Sequence, residues 1–77
     1  MTVKLQLKGP LKKYANNKDL VEVKLEATPC TLAELLQQFN IPASAISFIT
    51  VNEQKKGLDA ALNGGEAIVM YPRVAGG

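Results

Sequence analysis

The sequence predicts an α+β domain in which one main helix packs on a mixed four- to five-stranded sheet. Three observations lead there. Two stretches near the amino terminus alternate apolar and polar residues. A helix start signal with an amphipathic stripe follows them, and an unbroken apolar run over 67–71 comes late in the chain. Seventy-seven residues are enough for one core and too few for two.

Val3, Leu5 and Leu7 point one way and Lys4, Gln6 and Lys8 the other, the period of a half-buried strand. Gly9-Pro10 ends that strand, because proline removes a ladder donor. Ala15-Asn16-Asn17-Lys18-Asp19 reads as a turn. Alternation resumes with Val21, Val23 and Leu25 against Glu22, Lys24 and Glu26, which completes an amino-terminal hairpin. Thr31 and Glu34 have the spacing of a capping box, with Cys30 and Leu35 at the positions of a hydrophobic staple. Leu32, Leu35, Leu36 and Phe39 form one apolar stripe, and Asn40 with Ile41-Pro42 stops the helix.

Phe48-Ile49-Thr50-Val51 is rich in β-branched and aromatic residues and reads as a third strand. Residues 52–57 are polar and turn-like, and 58–62 fit either a helical turn or a short edge strand. Asn63-Gly64-Gly65 is a tight turn. The run over 67–71 suits a central strand buried on both faces, ended by Pro72. Hairpin, helix, strand, irregular connection and final strand is the order of the β-grasp, or ubiquitin-like, arrangement. The expected division is a β-grasp domain over 1–72 and a flexible tail over 73–77.

Composition excludes several classes. One cysteine and no histidine allow neither a disulfide framework nor a zinc site, and a lone thiol suits a reducing compartment. The nine basic residues are spread along the chain among seven acidic ones, for a net charge of +2. With no basic stripe and few aromatic residues, nucleic acid is not an expected partner. The amino terminus alternates rather than forming a continuous apolar run, and no segment is long enough to cross a bilayer. A cytoplasmic protein without a membrane partner is expected. With no Walker motif, no histidine and no paired-carboxylate motif, intrinsic catalysis is not expected, nor is a metal.

The last five residues, Arg73-Val74-Ala75-Gly76-Gly77, follow the predicted central strand directly. Extended, they reach at most about 17 Å, enough to thread across the rim of a partner's pocket. Glycines without Cβ atoms fit a slot too narrow for side chains, and they leave the terminal carbonyl of Gly77 unshielded. A free carboxylate is a poor acyl donor, so its use requires activation, typically as a mixed anhydride with AMP. The residues therefore point to an acyl carrier charged by another enzyme. A frayed chain end is the plainer alternative, and the terminal Gly-Gly after a β-grasp order weighs against it. If Ile68 and Met70 face the helix, Val69 and Tyr71 face outward near Phe48, a candidate docking patch for partners. Cys30 is expected to pack at the staple as a small apolar side chain. The Lys12-Lys13 and Lys55-Lys56 pairs read as solvated surface.

The sequence resembles the MoaD/ThiS family of ubiquitin-like sulfur carriers, which includes the small subunit of molybdopterin synthase and the thiamine-biosynthesis sulfur carrier. The matching residues are Thr31-Leu32-Ala33-Glu34-Leu35-Leu36, Val51-Asn52, and the block from Asn63 through Pro72 to Val74-Ala75-Gly76-Gly77. The resemblance implies that a ubiquitin-activating-type enzyme adenylates Gly77 with ATP, and that a sulfur donor converts the adenylate to a thiocarboxylate. A synthase subunit would then accept the sulfur. It implies no cofactor bound permanently. The length and the Val74-Ala75-Gly76-Gly77 ending lean toward molybdopterin rather than thiamine. The family often has an acidic Asp-Gly-Asp turn at the place of Asn63-Gly64-Gly65, and a second proline at the place of Arg73. The strand exit at Gly9-Pro10-Leu11 also departs from its pattern. Two other readings remain: a protein modifier joined to lysines through Gly77, and a non-catalytic β-grasp interaction domain.

Overall fold

The computed structural model describes residues 1–73. The alternating amino-terminal stretch forms strand β1, Thr2–Leu7, with Val3, Leu5 and Leu7 buried. It pairs antiparallel with β2, Leu20–Lys24, so that Val3 lies opposite Val23 and Gln6 opposite Leu20. Between them the chain does not simply turn. Gly9–Ala15 coils into a 3₁₀ segment whose Leu11 and Ala15 are buried, and Asn16 and Asn17 then reverse the chain at positive φ. Leu11 holds the segment to the core, a tertiary effect that proline and glycine content alone does not signal.

The capping box forms as its spacing predicts. The Thr31 hydroxyl accepts the Glu34 N–H at 3.2 Å, and the Glu34 carboxylate accepts the Thr31 N–H at 3.1 Å. Helix α1, Leu32–Gln38, buries Leu32, Leu35 and Leu36. It ends in a Schellman motif with asparagine where glycine is usual: Asn40 has φ 57°, its N–H donates to the Gln37 carbonyl, and the Ile41 N–H donates to that of Leu36 at 2.9 Å.

The third predicted strand begins two residues earlier than its composition suggests, as β4, Ile46–Val51, with a register shift between Ile46 and Phe48. The polar stretch after it is more than a turn. Asn52 and Glu53, at φ 51° and 70°, form a two-residue reversal, and β5, Gln54–Lys56, returns along β4 as an exposed edge strand. Of the two forms open to 58–62, the edge strand is present: β6, Ala61–Leu62, pairs with β3, Cys30–Thr31, and seats Leu62 fully in the core.

The last strand, β7, Ala67–Pro72, is central, parallel to β1 on one side and antiparallel to β4 on the other. The five-stranded sheet has the order β2-β1-β7-β4-β5, mixed as expected, and α1 packs on one face. Between them lie Leu5, Leu7, Leu32, Leu35, Leu62, Ile68 and Met70, each under 2% exposed. Burial of each such side chain contributes about 1.5–3 kcal/mol. One expectation is corrected. β7 is not buried on both faces: Ile68 and Met70 are core, whereas Val69 and Tyr71 on the far face are half-buried. No helix of the described residues is long and apolar enough to cross a membrane.

Candidate functional site

The site is built at the carboxyl end of β7 and on the sheet face turned away from the helix. Parallel pairing carries β1 and β7 to the same end of the molecule, where the Lys8 N–H donates to the Met70 carbonyl at 3.1 Å and prolongs their ladder. Pro72 lies opposite Ile46, and the Arg73 N–H donates to the Ala45 carbonyl at 3.0 Å. A Cβ added at Gly9 would stand 3.3 Å from Pro72 Cγ, so the 3₁₀ segment closes the other flank of the exit. Arg73 is exposed and anchored by its backbone. Val74, Ala75, Gly76 and Gly77, predicted to thread into a partner and react there, lie outside the described residues.

Phe48, Val69 and Tyr71 share the far face, as the alternation of β7 predicts. The rings of Phe48 and Tyr71 stack with centroids 4.3 Å apart and planes at 14°. Lys55 Nζ lies 5.4 Å from the Phe48 centroid, so β5 partly roofs that ring. Val69 lies between Gln6 of β1 and Thr50 of β4. The row continues to Leu20, opposite Gln6 and 59% exposed, a member of this face that the sequence reading did not single out. Its parity was the available signal: it falls in phase with Glu22 and Lys24, and so outward. Around the β5 edge the far face meets a groove of about 240 Å³ that Ile46, Phe48, Lys55 and Leu58 help to line.

At the opposite end, Glu66 organises the approach to β7. Its carboxylate accepts the Asn63 and Gly64 N–H groups at 2.8 Å each. Burial alone would raise its pKa; the N–H groups of Asn63, Gly64 and Glu66 itself outweigh that and hold it below the usual carboxylate range. Asn52 ties the same strand start to the β4–β5 reversal, donating its N–H to the Ala67 carbonyl at 2.8 Å and accepting the Ala67 N–H on Oδ1 at 3.0 Å.

Cys30 packs against the core, and its thiol is raised above its ordinary value by burial and then by the Glu34 carboxylate. It is therefore held as a neutral thiol, the form least suited to attack. Among the described residues, no three His, Cys, Asp or Glu side chains are grouped to hold a metal.

No protein-family model matches the sequence, and no curated protein matches it significantly. Solved structures do match over 95% of the chain or more. The Haloferax volcanii protein SAMP1 shares 16% identity with a TM-score of 0.73, all of each chain being covered. A Pyrococcus furiosus protein assigned as molybdopterin converting factor, subunit 1, shares 17% identity over 96% of this chain and 99% of its own, with a TM-score of 0.76. The complex of subunits 1 and 2 of the molybdopterin-converting factor from Helicobacter pylori matches at 25% identity over all of both chains, with a TM-score of 0.61. The fold is thus the ubiquitin-like β-grasp, shared with molybdopterin-converting-factor subunits and a small archaeal modifier.

Proposed function

We propose that this protein is a sulfur carrier that works through the carboxylate of Gly77. In this reading a ubiquitin-activating-type enzyme lets the Gly77 carboxylate attack the α-phosphorus of ATP, and pyrophosphate leaves. Sulfide-level sulfur from a donor then attacks the acyl carbon, displaces AMP and leaves a thiocarboxylate. A synthase subunit receives the tail and accepts the sulfur during cofactor biosynthesis, for molybdopterin in preference to thiamine. The chain itself binds no permanent cofactor, and ATP is consumed by its activator. Such a cycle would run in the cytoplasm.

The observation that carries this reading is the position of β7. The central strand ends at Pro72, is fastened at Arg73 to Ala45, and hands the chain directly to Val74-Ala75-Gly76-Gly77. A tail rooted in the central strand is held at a fixed point relative to the docking face, so a partner that grips the face also locates the tail. The likeness to a complex of subunits 1 and 2 of a molybdopterin-converting factor supports the same assignment.

The likeness to SAMP1 favours a second reading, a modifier joined to lysine side chains through Gly77. Intact-mass spectrometry of the protein from its own cells separates the two. A species in which one oxygen is replaced by sulfur on a chain ending at Gly77 supports the carrier. Covalent conjugates to other proteins support the modifier. Deleting Gly77 should abolish both; unchanged behaviour after that deletion leaves only a non-catalytic interaction domain.

A further inference from the structure

Along the sequence the basic residues are dispersed, but the fold gathers more than half of them around the tail exit. Lys8 prolongs the β1–β7 ladder, and Lys12 and Lys13 lie in the last turn of the 3₁₀ segment that abuts Pro72. The Lys18 N–H donates to the Ala15 carbonyl, and the next residue, Asp19, accepts the Leu7 N–H, which brings that turn to the same end of β1. Arg73 completes the group. Lys12, Lys13, Lys18 and Arg73 are exposed and Lys8 is half-buried. Five of the nine basic residues thus stand at this end with a single acid, Asp19, a formal +4. The other four basic and six acidic residues carry −2 between them.

Four of the seven acids stand toward the other end. Glu66 precedes β7, Glu53 turns beyond β4, and Glu26 follows Leu25, whose N–H donates to the Met1 carbonyl. Glu34 lies in the first turn of α1, beside the β3–β6 pair that leads into the Asn63–Glu66 turn. The molecule is therefore charge-segregated along the axis of its central strand, with the tail leaving from the positive pole.

We propose that this basic collar is a docking surface for an acidic rim around the tail-receiving pocket of a partner protein. The proposal rests on the carrier reading for the identity of that partner, the adenylating enzyme, and adds the chemistry of its rim. Complementary charge would steer the positive pole, and hence the tail, toward the pocket. Charges at such a rim act on association rate and salt dependence more than on the chemical step.

The test uses the full chain and the adenylating enzyme from the same genome, with binding read by calorimetry and adenylation by ATP–pyrophosphate exchange. Lys12→Glu/Lys13→Glu should lower kcat/KM and weaken binding about tenfold or more while leaving kcat at saturation. Lys56→Glu, a charge reversal on the β5 edge at the pleat opposite Phe48, should move either by less than about twofold. The wild-type advantage should shrink as salt rises above about 150 mM, where screening acts within about 8 Å. An effect of Lys56→Glu as large as that of Lys12→Glu/Lys13→Glu would overturn the collar while leaving the carrier reading intact. Collar-dependent binding without adenylation would retain the collar and remove the carrier reading. Binding of a short single-stranded oligonucleotide or of phosphatidylserine vesicles at about 150 mM salt that exceeds binding to the enzyme, and is lost with Lys12→Glu/Lys13→Glu, would also overturn it.

Discussion

Glu66 shows how one side chain sets the start of the strand that matters most. Two N–H groups of the turn converge on its carboxylate, while the third, that of Gly65, donates to the Thr2 carbonyl; this is why an acid stands beside Asn63-Gly64-Gly65. Glu66→Ala should cost about 1 kcal/mol at neutral pH, measured by urea unfolding. Its folded pKa lies below its unfolded value, so this contribution is full above the unfolded pKa and is lost as pH falls through the folded one. The gap between wild type and Glu66→Ala should therefore close in acid; a gap unchanged at low pH would contradict the assignment. Cys30 lies at the other extreme of consequence. A neutral, half-buried thiol has no task in the proposed cycle, so Cys30→Ala should leave thiocarboxylate formation at the wild-type level by mass spectrometry.

The elements differ in how openly the sequence declares them. Helix α1 was legible at both ends, because a capping box and an Asn-Ile-Pro stop are local devices whose partners lie within a few residues. Thr31→Ala should accordingly lower stability by about 1 kcal/mol. The 3₁₀ segment, β5 and the pairing of β6 with β3 were not legible, although a short edge strand was one of two forms open to 58–62. The first and last owe their form to a distant partner, Leu11 to the core and Ala61–Leu62 to Cys30–Thr31, whereas Gln54–Lys56 folds back on the adjacent β4 with fully exposed polar residues that carry no apolar alternation. The reversal between β4 and β5 holds a residue poorly suited to its backbone, Glu53 at φ 70°. Glycine suits that conformation, so Glu53→Gly should raise the unfolding free energy by about 0.5–1 kcal/mol. Asn52→Ala should lower it, since Asn52 Oδ1 accepts the Ala67 N–H.

At the level of the whole molecule, the far sheet face and the collar meet at the end of β7. Phe48, Val69 and Tyr71 were readable because alternation in a central strand assigns faces without knowledge of the neighbours, and Leu20 obeys the same parity. The collar was not readable. Lys8 and Arg73 are remote in sequence, and only the parallel pairing of β1 with β7 brings their ends together. Val69→Glu places a charge on a half-buried, solvent-side position, so it should weaken binding of the adenylating enzyme about tenfold or more while leaving the cooperative unfolding transition in place. Loss of the folded state in that variant would mean that Val69 serves packing instead.

The same central placement of β7 has a mechanical side. A partner that tugs on Arg73 along the strand axis strains the hydrogen bonds to β1 and β4 together, in shear, rather than unzipping them one by one. Held between Met1 and Arg73 in a force spectrometer, the domain should yield abruptly at a single high peak, since its carboxyl end is rooted where the fabric of the sheet tears last.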